Sequence, residues 1–184
     1  MKNFLFATTL VCAMTAANAQ DKFFTKSGKV YFNASAKLEK VEATNRTAIA
    51  VIDTKTGDLQ MAVMMKAFEF EKALMQEHFN ENYVESDKYP KCQFVGQILN
   101  NSNVNYAKDG IYDVKVKGKM TLHGKDKDVE ANGKIIIEKG KLMMNSDFII
   151  MLSDFNISIP GLVKENISNE TKISVDCSLD PLKS

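Results

Sequence analysis

Residues 111–122 alternate between apolar and polar side chains almost without a break. One face of this segment is apolar: Tyr112, Val114, Val116, Met120 and Leu122. The other face is charged: Asp113, Lys115, Lys117 and Lys119. Gly118 is the single gap in the apolar series. Alternation with a period of two residues over this length predicts a long strand with one buried and one solvated face.

The same period returns along the chain and predicts eight strands. They fall near residues 28–36, 46–53, 59–65, 92–98, 110–122, 127–138, 142–152 and 173–179. A Lys-Thr-Gly-Asp turn at 55–58 joins the second and third strands as a hairpin. Only residues 71–80 depart from the pattern, with Leu74/His78 and Met75/Phe79 four apart. That spacing predicts a short helix between the third and fourth strands.

Long antiparallel strands in sequential order close most simply as an up-and-down barrel. We therefore predict an all-β fold, an extended eight-stranded antiparallel barrel. An eight-stranded barrel has an interior that side chains fill or that holds one small ligand. The inward faces predicted for the fifth, seventh and eighth strands carry no Lys, Arg, Asp or Glu. Such an interior favours an elongated apolar guest over a polar metabolite.

The N-terminus has the features of a secretory signal peptide. Lys2 precedes an uncharged apolar run at 4–17, and Ala17, Asn18 and Ala19 form an A-x-A cleavage site. We expect cleavage after residue 19 and a single mature domain at 20–184, located in the periplasm or secreted. A lipoprotein cleaved at Cys12 is disfavoured because the residues before it are large and the apolar run continues beyond it.

The amino-acid composition argues against several classes of function. The chain has 24 Lys and Arg against 23 Asp and Glu, and loss of Lys2 leaves the mature chain neutral. A neutral domain without a basic stretch does not favour nucleic acid or an anionic membrane surface as a partner. The two histidines, His78 and His123, have no metal-binding spacing, so we expect neither metal nor cofactor.

The mature chain retains Cys92 and Cys177. Export permits disulfides, but the two residues fall on inward faces of the fourth and eighth strands. These strands lie on opposite walls of an eight-stranded up-and-down barrel, whereas a disulfide needs Cα atoms within about 7 Å. We expect two free thiols.

Three segments together resemble a known family. The first is LMQEHF at 74–79, followed by ESDKYP at 85–90 and the strand containing Phe94. The second is GKMTLHG at 118–124, and the third is SDFNI at 153–157. Their order and spacing resemble those of the YceI-like family of exported bacterial proteins, over about residues 28–180.

This resemblance implies a lipocalin-like barrel whose interior takes a long-chain isoprenoid or similar lipid. Two departures from the family pattern stand out: Asn156 replaces a usual Gly, and Leu152 stands where many members have Arg. If that Arg holds a polar head group, this chain favours a neutral lipid. The residues that we expect to contact lipid are Phe32, Phe94, Tyr112, Val114, Val116, Gly118, Met120, Met144, Phe148, Ile150 and Val175.

Two further hypotheses belong to other classes. An enzyme would use His123 with Asp126 or Asp128, or His78 with Glu77, as an acid–base pair. His123 is expected in a solvated turn with no nucleophile nearby, and neither histidine is expected to face the interior, so we expect no catalysis.

The other hypothesis is an envelope interaction or stress-related protein with a filled barrel and no lipid. Its second strand is apolar on both faces, with Ala48, Ala50 and Ile52 beside Ile49 and Val51, which favours a homodimer.

Overall fold

The computed structural model of the chain describes residues 21–182. Its strands are β1 (Lys22–Ser35), β2 (Glu42–Asp53), β3 (Asp58–Met64), β4 (Glu69–Phe70), β5 (Lys91–Ile98), β6 (Gly110–Leu122), β7 (Lys125–Glu138), β8 (Lys141–Met151) and β9 (Ile167–Pro181). The helix α1 (Ala73–His78) and a π-helical turn (Phe79–Tyr83) lie between β4 and β5. Within residues 21–182, no helix is long and apolar enough to span a membrane.

Eight long strands form one closed antiparallel barrel. Their order is β1-β9-β8-β7-β6-β5-β3-β2, and β1 pairs with β2 to complete the circle. The two-residue strand β4 pairs only with the start of β2. The predicted eight-stranded antiparallel barrel and the helix between its third and fourth long strands are therefore confirmed.

Three strands begin well before their hydrophobic pattern indicated, and β2 is one of them, starting at Glu42 rather than at residue 46. β1 begins at Lys22 rather than near residue 28, and its pairing register shifts on both sides of Gly28. Such a bulge interrupts strict alternation. β9 begins at Ile167 rather than 173, because the polar residues 168–170 continue the strand, and Glu170 pairs with Met151 of β8.

The insertion between β4 and β5 packs against one end of the barrel through aromatic rings. Phe79 of the π-helical turn contacts Phe32 of β1, Phe68 and Phe70, with ring centroids 5.1–5.6 Å apart. Pairs of aromatic rings at these distances add to the stabilisation from burial. This packing holds the insertion over the end of the barrel interior.

The buried apolar residues form two clusters along the barrel axis. The capped-end cluster lies beneath the insertion: Val30, Phe32, Ala34, Ala43, Ala48, Val63, Met65, Phe68, Val84, Met120, Leu122, Ile150, Phe155 and Ile157. The deep cluster fills the opposite end: Ala50, Ile52, Leu59, Ile98, Val104, Val114, Ile135, Ile137, Leu142, Met144, Cys177 and Leu179. Met61, Phe94 and Val175 pack against both clusters. These three residues therefore mark the boundary between the two ends.

Candidate functional site

The barrel contains a cavity of about 310 Å³. Its wall is built by side chains of β1, β3 and β5 to β9, and it is almost entirely apolar. Strand alternation explains this composition, because every second residue of each strand points inward. The cavity extends from the insertion into the deep cluster, which contributes Leu59, Ile98, Val114, Ile135 and Met144 to its wall.

Nine of the eleven residues that we expected to contact lipid line this cavity: Phe32, Phe94, Val114, Val116, Met120, Met144, Phe148, Ile150 and Val175. They come from five different strands, which the closed barrel brings around a common space. Their role in lipid binding stays a prediction.

Tyr112 and Gly118, the other two of the eleven, do not line this cavity, and their contact with lipid stays a prediction. Tyr112 packs on the deep cluster, and its hydroxyl donates to the carbonyl oxygen of Lys108 at 3.0 Å. It lies at the level of its strand partner Ile135, which does line the cavity. Gly118 faces inward, but the Phe94 ring occupies the space beside it.

The rim of the cavity contains a polar cluster that the sequence pattern missed. Glu39, in the β1–β2 connection, lines the cavity and accepts hydrogen bonds from Lys72 Nζ at 3.0 Å and Asn166 Nδ2 at 3.1 Å. The bond from Lys72, followed by that from Asn166, lowers the pKa of the Glu39 carboxyl. The cluster joins three connections that are distant in sequence, so no local periodicity could indicate it.

The helical insertion also contributes to the rim. Met75, His78, Phe79 and Tyr83 line the cavity. The expectation that His78 faces away from the interior was therefore wrong. The four-residue spacing predicted the helix but not its inward face, since Leu74 is exposed whereas Met75, His78 and Phe79 line the cavity.

His123 is not in a solvated turn, contrary to the expectation from the charges around it. Its side chain is only 13% exposed. Nδ1 lies 3.0 Å from the carbonyl oxygen of Phe155, and Nε2 lies 2.7 Å from a carboxylate oxygen of Glu85. The Tyr89 ring packs edge-on against the imidazole at 4.7 Å. The histidine ties the β6–β7 turn to two other connections at the capped end.

The segment that departs from the family pattern lies beside these contacts. Asn156 has φ 57°, in the left-handed region, which suits glycine and is tolerated by asparagine. Replacement of the usual Gly is therefore compatible with the turn. Leu152 lines the cavity, so the position where many family members have Arg adds an apolar side chain here.

Cys92 and Cys177 are free thiols, as predicted. They lie on β5 and β9, which are on opposite walls of the barrel. Burial raises the pKa of each thiol to about 12. Cys92 lines the cavity, whereas Cys177 lies in the deep cluster. Both are protonated near neutral pH and act as small apolar groups.

The geometry favours binding of an apolar molecule. Among residues 21–182, no three His, Cys, Asp or Glu side chains are close enough together to hold a metal ion. The charged side chains at the cavity wall, Glu39 and Lys134, are both paired, Lys134 with Asp113 at 2.8 Å. What the site offers is an enclosed apolar surface with a polar rim.

Comparisons with known proteins agree with this architecture. The family model of the YceI-like domain matches residues 9–179. A polyisoprenoid-binding domain from Saccharophagus degradans, implicated in plant cell wall breakdown, is similar in structure, with a TM-score of 0.76 and 12% identity. That alignment covers 88% of this chain and 99% of the domain.

Two further solved structures are similar. BcnA from Burkholderia cenocepacia has a TM-score of 0.67 and 17% identity, over 83% of this chain and 96% of its own. The YceI protein of Campylobacter jejuni has a TM-score of 0.56 and 14% identity, with both chains covered completely. No curated protein matches the sequence. At these identities the structural likeness establishes the fold, and the match to the family model over most of the chain shows that this protein belongs to the YceI-like family.

Proposed function

We propose that the protein binds a long-chain isoprenoid or similar lipid without catalysing a reaction on it, and stores or transports that lipid in the cell envelope. The observation that carries this proposal is the apolar cavity enclosed by the barrel. The YceI-like family is a binding fold, and the Saccharophagus domain with a similar structure is described as polyisoprenoid-binding.

The driving force is burial of an apolar chain. Each Å² of apolar surface removed from water contributes about 25 cal/mol, before the entropic costs of association are subtracted. The methionines in the wall, Met61, Met65, Met75, Met120 and Met144, suit this role. Their flexible thioethers adapt to a guest of irregular shape.

The paired charges of the rim favour a lipid whose head group is neutral. Glu39 already has two hydrogen-bond donors, and Leu152 replaces the cation that many family members carry. An anionic head group would find no unpaired Lys or Arg among the cavity-lining residues, where His78 is the remaining basic side chain. A hydroxyl or carbonyl group requires none.

Mass spectrometry of an organic extract of the purified protein tests the proposal. We expect a stoichiometric lipid that is apolar over most of its length, and its recovery should fall when Ile173 in the wall is replaced by Asp. A protein purified from its native compartment with an empty barrel would instead support the interaction-protein hypothesis. In that hypothesis the exposed Ile49 of β2 contributes to a homodimer surface.

A further inference from the structure

Gly96 and Gly118 leave a recess in the inner wall of the barrel, called here the Gly96–Gly118 step, because two neighbouring strands each have a glycine at the same level. They are direct partners across β5 and β6. Both belong to inward-facing series, because Phe94 and Ile98 on one side and Val116 and Met120 on the other line the cavity. A gap two strands wide therefore lies on the inner surface at one level of the barrel.

The Phe94 side chain occupies this gap. Its Cζ lies 2.5 Å from the position that a Cβ at residue 96 would take, and 2.6 Å from that at residue 118. The ring consequently leans along β5 over both glycines. A side chain at either position would displace the ring from the wall toward the lumen.

The ring lies where the two ends of the cavity meet. Phe94 packs against both the capped-end cluster and the deep cluster. The cavity continues beyond it to Ile98, Val114 and Ile135 in the deep cluster. An elongated guest that enters from the rim must pass the Phe94 ring to reach these residues.

We propose that Phe94, seated on the Gly96–Gly118 step, sets the width of guest that reaches the deep end of the cavity. This inference rests on the proposed lipid-binding function and adds a residue that determines specificity. With the ring against the wall, the passage admits a chain of limited cross-section. Methyl branches widen a chain at intervals, so Phe94 discriminates between branched and unbranched chains.

The test compares two alcohols with the same main-chain length, unbranched hexadecanol and methyl-branched phytol. Their dissociation constants are measured by calorimetry on delipidated wild-type protein and on Phe94→Ala and Phe94→Trp variants. Because a single methylene in an apolar pocket changes affinity by tenfold or more, we expect Phe94→Ala to shift the affinity ratio about tenfold toward phytol. Phe94→Trp should shift the ratio toward hexadecanol.

Phe148→Ala is the matched control. Phe148 also lines the cavity and is half-buried, but it pairs with Ile173 rather than lying over glycines. Removal of its ring should weaken the binding of both alcohols equally and leave the ratio of their affinities unchanged. Alanine at Gly96 or Gly118 is unsuitable, since its Cβ would lie 2.5 Å from the backbone oxygen of Lys117 or Val95.

The outcomes separate the two proposals. If wild-type protein binds both alcohols but the ratio stays within twofold in Phe94→Ala, the role of Phe94 is refuted and lipid binding stands. If wild-type protein binds neither alcohol, both proposals fail. Thermal unfolding of each variant verifies its fold, and if Phe94→Trp does not fold, Phe94→Ala and Phe94→Leu decide the result.

Discussion

His123 Nε2 lies 2.7 Å from a carboxylate oxygen of Glu85, although the two residues are separated by 38 positions in the chain. The other ring nitrogen faces the carbonyl oxygen of Phe155, which can only accept a hydrogen bond. Nδ1 therefore carries a proton. This arrangement joins three connections at the capped end of the barrel.

Replacement of His123 by Ala should lower the free energy of unfolding by about 1–2 kcal/mol. Two hydrogen bonds are lost, and the carbonyl oxygen of the buried Phe155 loses its donor. Chemical denaturation measures the effect. His78→Ala, at an exposed helical position, is the control and should leave stability unchanged. In a double-mutant cycle with Glu85→Ala, a coupling energy near zero would contradict the interaction. Lipid affinity should change by less than tenfold, since His123 does not line the cavity.

Cys92 and Cys177 should make the free energy of unfolding depend on pH in the alkaline range. Their folded-state pKa values are raised to about 12, whereas an unfolded thiol titrates near about 8.5. The folded state therefore holds these protons more tightly, and the stabilisation is present below about pH 8.5. It is lost as pH rises toward about 12.

Denaturation at pH 8 and pH 10, compared with a Cys92→Ala/Cys177→Ala variant, isolates the contribution of the thiols from that of other groups. We expect a smaller loss of stability with pH in the variant. A thiol reagent should label both cysteines only after unfolding, because the thiolate is the reactive form. Rapid labelling of folded protein at neutral pH would contradict the burial of these groups.

Gly118→Leu should destabilise the barrel by about 1–3 kcal/mol, the usual effect of forcing extra atoms into a packed site. A Cβ at this position would lie 2.5 Å from both the Val95 carbonyl oxygen and the Gly96 Cα. The thermal midpoint measures the loss. Gly161→Ala is the control, because a Cβ there has no heavy atom within 4 Å among the described residues. An unchanged midpoint for Gly118→Leu would mean that β5 and β6 are not as close as described.

Two isoleucines should separate stability from binding. Ile137 is 5% exposed, belongs to the deep cluster and does not line the cavity. Ile137→Ala should lower the free energy of unfolding by about 2–5 kcal/mol. Ile173 is half-buried and lines the cavity. Ile173→Ala should therefore lower the free energy of unfolding less than Ile137→Ala does, and should weaken lipid binding more. Equal effects of both changes on both quantities would argue that the cavity is not the binding site.

The exported protein should begin near Gln20. The predicted signal peptide at 1–19 lies outside the residues that the structure describes, so cleavage stays a prediction. N-terminal sequencing of protein recovered from the periplasm or the medium tests it. The Ala19→Asp variant should be processed poorly, because the cleavage site requires small residues. A mature protein that retains a lipid-modified Cys12 would refute soluble export.

Local alternation was sufficient to determine the barrel and most of its inner surface. The inward series of residues 110–122 and 142–152 could be read directly, because a strand places every second side chain on the same face. The spacing of Met75 and Phe79 similarly predicted the short helix, which the structure places over the barrel end. For this reason nine of the eleven expected lining residues do face the cavity.

Only the tertiary structure decided how far the cavity extends and what closes it. Tyr112 continues the same alternation as Val114, but it packs against the deep cluster and does not line the cavity. The space at Gly118 is filled by Phe94 from the neighbouring strand. Glu39 meets Lys72 and Asn166, and His123 meets Glu85, across connections distant in sequence. Periodicity describes which way a side chain points, whereas contacts between strands and loops depend on barrel closure and register.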